Sequence, residues 1–164
     1  MSDATTLVSG LGMGESARWH GQELWFADWL AGTISALDAA GNVRRVAGVP
    51  SMPICFDWLP DGRMAVVSGS DAAVLLEVPH AGLVPLADLH GISGHPWNEI
   101  AVHPSGNIYV NGIGYDYSGQ AVPNGPIALI RPDGSAEQVA GGLAFPNGML
   151  VSGDGSTLVV AESN

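Results

Sequence analysis

Lysine is absent from this chain of 164 residues, and its five basic side chains are all arginines. Without lysine the chain cannot form a Schiff base with a carbonyl substrate, attach pyridoxal phosphate or supply the lysine of a P-loop. The 16 acidic residues outnumber the basic ones and give a formal net charge of −11 at pH 7. That charge repels phosphate backbones and anionic lipids, so the composition argues against nucleic-acid and membrane-surface partners.

Cysteine occurs once, at Cys55, which excludes an intrachain disulfide. The first ten residues, MSDATTLVSG, lack the basic region and apolar core of a secretory signal peptide. Apolar runs such as 72–76 have the length of a strand and are far too short to span a membrane. The sequence therefore predicts a soluble protein of the cytoplasm.

Glycine and proline are abundant, with 23 and 11 residues, and apolar residues make up 46% of the chain against 13% charged. This composition excludes a disordered chain and indicates a globular protein rich in turns. Short apolar runs of strand length alternate with glycine turns, and no stretch sustains a helical stripe over three turns. The sequence predicts an all-β fold without a long helix.

One hairpin pattern recurs four times, with a turn glycine between two strands rich in β-branched and aromatic residues. The turn glycines are Gly21, Gly62, Gly106 and Gly155, at spacings of 41, 44 and 49 residues. Hairpins of a second kind lie between them, at 33–47, 73–88 and 126–140. Two alternating hairpins in each repeat of this length are typical of a four-stranded propeller blade, whereas the hairpins of a β-sandwich need not alternate in kind.

The repeat predicts one partial β-propeller domain over residues 1–164, with three full blades and the first hairpin of a fourth. The predicted limits are about 14–48, 52–90 and 95–141 for the blades and 145–164 for the hairpin. Propellers close with roughly four to eight blades, because each blade buries its faces against its neighbours. We therefore expect an incomplete ring, which a C-terminal half or a second copy of the chain would close.

Oxygen-bearing side chains precede the first hairpin of several blades at equivalent places. Glu15, Asn98 and Asn147 occupy these segments, and loops that lead into the innermost strands converge on the central channel of a propeller. One carboxylate and two amide oxygens suit a hard divalent cation better than a thiolate metal. The alternative is ordinary turn chemistry at Asn147-Gly148 and an exposed Glu15.

The usual nucleophile and metal motifs G-x-S-x-G, H-E-x-x-H and C-x-x-C do not occur. Three segments instead resemble the senescence-marker-protein/gluconolactonase/luciferin-regenerating-enzyme family. They are GESARWHGQELWFAD (14–28), PWNEIAVHPSGNIYVNG (96–112) and FPNGMLVSGDGSTLVVAES (145–163). The resemblance implies a six-bladed propeller of which this chain is about the first half, with a divalent cation in its central channel.

Carried over residue by residue, the resemblance implies that Glu15 and Asn147 are metal ligands and that Asn98 contacts substrate and, in some members, the metal or its water. Asn98 matches the asparagine of the family's Arg-x-Asn-Asp segment, but Pro96 stands where the arginine is common and Glu99 replaces the aspartate. These departures argue against the carboxylate-bearing lactones that the arginine would bind, and we expect a different lactone. The implied cation is Ca²⁺, with Mg²⁺, Mn²⁺ or Zn²⁺ as alternatives.

Trp97, Glu99 and His95 complete the predicted substrate site beside Asn98. His95 has a titration range suited to proton transfer, although a turn histidine is also unremarkable. The family's general base is an aspartate in a later Pro-Asp-Gly segment, beyond the end of this sequence, so no catalytic residue is assigned here.

The family's activity is metal-assisted hydrolysis of sugar lactones or related esters, in which the cation polarises the carbonyl and a carboxylate activates water. We expect the chain to be the N-terminal portion of such an enzyme, inactive or weakly active alone, with a small lactone as its partner. The alternative is a non-catalytic propeller fragment that binds a cation, a sugar or another protein.

Overall fold

The computed structural model describes residues 4–115 and 124–163. These ranges contain 14 β-strands and no helix, which confirms the predicted all-β fold class. Residues 116–123 and Asn164, which the sequence assigns to the third blade and the last hairpin, lie outside the described residues. No helix long and apolar enough for a membrane span occurs in the part of the chain that is described.

The strands form four antiparallel sheets, and in each sheet the strands follow one another in sequence order. Sheet 1 contains β1 (Gly14–His20), β2 (Glu23–Asp28), β3 (Thr33–Leu37) and β4 (Val43–Gly48). Sheet 2 contains β5 (Ile54–Trp58), β6 (Met64–Ser68), β7 (Ala73–Val78) and β8 (Gly82–Asp88). Sheet 3 contains β9 (Trp97–Val102), β10 (Ile108–Gly112), β11 (Gly125–Ile130) and β12 (Ala136–Leu143). Sheet 4 is the hairpin of β13 (Pro146–Val151) and β14 (Leu158–Glu162).

The chain divides into two compact units, residues 1–50 with sheet 1 and residues 51–164 with sheets 2 to 4. In the second unit β9 packs against both β5 and β13. Consecutive sheets of this unit therefore meet through their first strands, as neighbouring propeller blades do around a channel. This arrangement favours a propeller over a β-sandwich, while the six-blade count, the blade limits and the single domain stay predictions.

Burial falls across each full sheet of the second unit from its first strands to its last. In sheet 3 the strands β9, β10 and β11 are almost entirely buried, whereas β12 is mostly exposed. In sheet 2 the strands β5 and β6 are mostly buried, whereas β8 has a single buried residue, Ala87. The largest fully buried side chains of the chain include Trp97, Phe56, Ile100 and Ile108. Removing these apolar groups from water is the main force that holds the inner strands together.

The four turn glycines of the sequence repeat all have positive φ, at 61°, 87°, 87° and 73° in chain order. Each lies between the first and second strands of its sheet. A side chain is strained at such φ values, so glycine is the residue that these tight turns require. The repeat spacing is thus explained by local backbone geometry.

In the first unit, Asp28 at the end of β2 anchors the segment that leads into β1. Its carboxylate accepts hydrogen bonds from the backbone N–H groups of Gly12, Met13, Leu30 and Ala31, at 2.9 to 3.2 Å. These bonds, those from Gly12 and Met13 first, stabilise the ionised form and lower the pKa of Asp28 below its usual value of 3.8. Asp28 therefore has a structural role near the candidate residue Glu15.

Candidate functional site

Two first strands of the second unit carry a β-bulge at the candidate residues. In β9, Asn98 and Glu99 together lie opposite a single residue of β10, Asn111. In β13, Asn147 and Gly148 lie opposite a single residue of β14. A bulge bends its strand and changes the direction of a side chain, and bulges are common beside active sites. The sequence predicts that the candidate asparagines lie in loops before the first strands. The structure corrects this, because Asn98 lies within β9 and Asn147 within β13.

The first strand of sheet 1 has the same irregularity, with Ser16 and Ala17 opposite Phe26. Glu15 directly precedes this bulge, and Ser16 has a positive φ of 52°. In contrast β5 pairs regularly with β6 over its whole length. The segment before β5, Ser51-Met52-Pro53, is also the one in which the sequence contains no candidate ligand. A bulge and a candidate ligand thus occur together in the first strands of sheets 1, 3 and 4. Strand β5, the first strand of sheet 2, has neither.

The bulges of β9 and β13 are joined by two hydrogen bonds from asparagine side chains. Asn98 Nδ2 donates to the carbonyl oxygen of Pro146 at 3.2 Å, and Asn111 Nδ2 donates to that of Asn147 at 2.7 Å. Asn111 Oδ1 also accepts a hydrogen bond from the backbone N–H of Glu99 at 3.1 Å. Both asparagines that donate from sheet 3 to sheet 4 are buried, with 2% of Asn98 and none of Asn111 exposed. The structure thus brings Asn98 and Asn147 into one small region.

The side-chain oxygens of the two candidate asparagines accept no hydrogen bond from the described residues. The amide nitrogen of Asn98 must face Pro146, because a carbonyl oxygen can only accept, so its Oδ1 points away from that bond. The amide nitrogen of Asn147 donates to Ser163 Oγ at 3.1 Å. No described residue donates a hydrogen bond to Oδ1 of either asparagine. An oxygen held in this way is suited to a cation or to a donor group of a substrate.

Glu99 places a carboxylate inside the same region, with 8% of its surface exposed. Its Oε1 accepts a hydrogen bond from the backbone N–H of Ile100 at 2.8 Å. Such a bond offsets part of the cost of burying a charged group. Glu99 therefore places a buried carboxyl group beside Asn98.

Trp97 and His95, the other predicted substrate-site residues, have different settings. Trp97 is fully buried, and its backbone N–H donates to the carbonyl oxygen of Gly69 at 3.1 Å. His95 is half-buried, and its backbone N–H donates to Ser93 Oγ at 3.1 Å. Trp97 thus fixes the start of β9, and a substrate role for Trp97 or His95 stays a prediction.

The acidic and histidine side chains of the described residues do not form a group of three or more that could hold a metal ion. The oxygen donors of the second unit are the neutral amides of Asn98 and Asn147, and Glu15 is an exposed residue of the first unit. Neutral oxygens fit a hard, weakly held cation such as Ca²⁺, Mg²⁺ or Mn²⁺ and do not fit the nitrogen- and sulfur-rich sites typical of Zn²⁺.

Asn111 was missed by the sequence interpretation, although it links both bulges. A polar residue in the otherwise apolar strand Ile108–Gly112 was the available indication. The neighbouring residues in the sequence do not distinguish Asn111 from an ordinary asparagine at the end of a strand, because its hydrogen-bond partners lie 12 and 36 residues away.

A sequence model of the "SMP-30/Gluconolactonase/LRE-like region" matches residues 13–164. The chain belongs to this family. No curated protein matches the sequence of this family member.

Solved structures similar to this family member include a calcium-binding regucalcin from Agrobacterium tumefaciens, a gluconolactonase from Xanthomonas campestris and a luciferin-regenerating enzyme. Their sequence identities are 20%, 18% and 15%, and their TM-scores are 0.73, 0.76 and 0.76. Each match covers 96% of this chain but only 53%, 57% and 54% of the other. The chain thus spans little more than half the length of these propeller-like proteins, and at these identities the likeness shows the fold alone.

Proposed function

We propose that this chain is part of a six-bladed propeller that hydrolyses sugar lactones or related esters with the help of a divalent cation. The family membership supports the reaction class. The match to only 53% and 57% of two solved structures supports a propeller with more blades than these residues contain. The observation that carries the proposal is the pair of bulges in β9 and β13. The side chain of Asn98 lies within hydrogen-bond distance of Pro146, the residue before Asn147, and no described residue donates a hydrogen bond to Oδ1 of either asparagine.

Asn147 and Asn98 would hold the cation through their Oδ1 atoms, and the assignment of Glu15 as a further ligand rests on the family resemblance alone. Such a cation polarises a lactone carbonyl and stabilises the oxyanion that develops on it. The two protein amides donate their N–H groups to Pro146 and Ser163, and these bonds keep the oxygens oriented before any ligand binds.

The substrate we propose is an uncharged lactone. Pro96 replaces the arginine that would bind a carboxylate, and Glu99 is buried directly beside Asn98. The net charge of −11 further opposes an anionic substrate. The buried carboxyl group of Glu99 would orient the hydroxyl groups of a neutral sugar ring.

Calcium binding tests the site itself. Neutral amide oxygens bind Ca²⁺ weakly, so we expect a dissociation constant of about 10⁻⁴ to 10⁻³ M by calorimetry. Asn147→Ala should abolish binding, whereas Asn107→Ala, in the turn between β9 and β10, should leave it unchanged. A chain that binds no cation, or binds equally well without the Asn147 side chain, contradicts the proposal.

Lactone hydrolysis followed with a pH indicator tests the reaction. The family resemblance assigns none of these 164 residues as general base, and such a base contributes about 10² to 10⁴-fold in rate. We therefore expect slow turnover that a chelator removes and that Asn147→Ala removes as well. Cation binding without any chelator-sensitive turnover would contradict the hydrolase and favour the non-catalytic cation- or sugar-binding module.

A further inference from the structure

Asn111 is a fully buried polar residue at the middle of the candidate region. It lies in β10 between the buried residues Val110 and Gly112, and none of its surface is exposed. A buried amide is retained in a core only when its hydrogen bonds are made, and Asn111 makes one with each end of its side chain.

The orientation of the Asn111 amide is determined by its partners. The backbone N–H of Glu99 can only donate, so it must face Oδ1, and the carbonyl of Asn147 can only accept, so it must face Nδ2. One bond ends on the bulge of β9 and the other on the bulge of β13. Asn111 is thus a rigid link between the two bulges.

We propose that Asn111 is a positioning residue for the candidate site, an inference that rests on the proposed function. Asn111 holds the backbone of Asn147 at a set distance from the bulge that carries Asn98, so that the two Oδ1 atoms face the same cation or substrate. A second link, from Asn98 Nδ2 to Pro146, acts on the same pair of strands. Asn111 itself touches neither cation nor substrate in this proposal.

A purely structural hydrogen bond between sheets is available for comparison. Asp57 of β5 accepts a hydrogen bond from the backbone N–H of Val102 at 2.8 Å, at the other end of β9. Asp57 and Asn111 are similar in size to leucine, and each joins sheet 3 to a neighbouring sheet. Asp57→Leu is therefore the matched control for Asn111→Leu.

The experiment uses Mn²⁺ as the probe and follows the side-chain amide signals of Asn98 and Asn147 in ¹H–¹⁵N spectra. In the unmodified chain Mn²⁺ should broaden both signals over the same concentration range. Removing a residue that orients metal ligands typically costs about 10 to 100-fold in metal affinity. We expect that loss in Asn111→Leu, and no change of affinity in Asp57→Leu, although both variants melt at lower temperature.

Asn111→Ser covers the case in which Asn111→Leu does not fold, since its short hydroxyl side chain cannot reach both partners. The same loss of Mn²⁺ affinity is expected there. Unchanged affinity in a folded Asn111 variant would overturn the positioning role while leaving the proposed site intact. If Mn²⁺ broadens neither amide in the unmodified chain, the proposed cation site fails, and the positioning role fails with it.

Discussion

Replacing Gly69 with alanine should separate sheet 2 from the start of β9. Gly69 follows β6, its N–H donates to the carbonyl of Pro53 at 3.0 Å, and its carbonyl accepts from the N–H of Trp97 at 3.1 Å. A Cβ built on Gly69 would overlap the carbonyl oxygen of Trp97 and lie 2.7 Å from Cδ and 2.9 Å from the oxygen of Pro53. These three atoms belong to the backbone or to a proline ring, so they cannot move away by a side-chain rotation.

The magnitude follows from these contacts. Overpacking a well-filled site costs about 1–3 kcal/mol. Backbone movement that relieves the overlap weakens two hydrogen bonds, each with a net value of about 0.5–1.5 kcal/mol. The free energy of unfolding should therefore fall by about 2–6 kcal/mol, a large part of the roughly 5–15 kcal/mol of an ordinary domain. At an m-value of about 2 kcal/mol/M, the urea midpoint falls by about 1–3 M.

Urea unfolding followed by tryptophan fluorescence measures this loss, with Gly91→Ala as the matched control. A Cβ on Gly91 would meet nothing within 4 Å, and its φ is not positive. That variant should be as stable as the unmodified chain or gain up to about 1 kcal/mol. Equal midpoints for Gly69→Ala and Gly91→Ala would refute the argument from close backbone approach.

Two further predictions concern carboxylates whose pKa is lowered by hydrogen bonds. The lowered pKa of Asp28 stabilises the fold above its unfolded value of 3.8, and this contribution is lost as the pH falls through the folded value. Asp28→Asn should therefore melt earlier than the unmodified chain at pH 7, with a smaller difference near pH 2, and a difference independent of pH would contradict this. Asp154, in the turn between β13 and β14, has its pKa lowered to about 2, first by Ser152 and then by Ser156. The amide signal of Ser156 should consequently titrate near pH 2 in NMR spectra, and a midpoint near 3.8 would show that these bonds do not form in solution.

The all-β class and the turn positions were predictable because they depend on local chemistry. A glycine at positive φ between two short apolar runs specifies a hairpin without any knowledge of distant residues, as Gly62 and Gly106 show. The family was likewise predictable, because three long segments carry its residues in register, and the family match confirms it. Asn98 and Asn147 could be selected by residue type and by their equivalent places in the repeat.

Their arrangement could not be predicted, because it depends on pairing between strands far apart in sequence. Asn98 and Asn147 lie in bulges and not in the predicted loops because of how β9 pairs with β10 and β13 pairs with β14. The role of Asn111 depends on a neighbour 36 residues away, and the burial of Trp97 depends on the packing of β9 against β5. Sequence by itself determined the strands, their turns and the donor atoms, since these are properties of short segments. Tertiary structure alone decided which side chains are buried and which polar groups bond across from one sheet to the next, because both follow from the packing of the sheets.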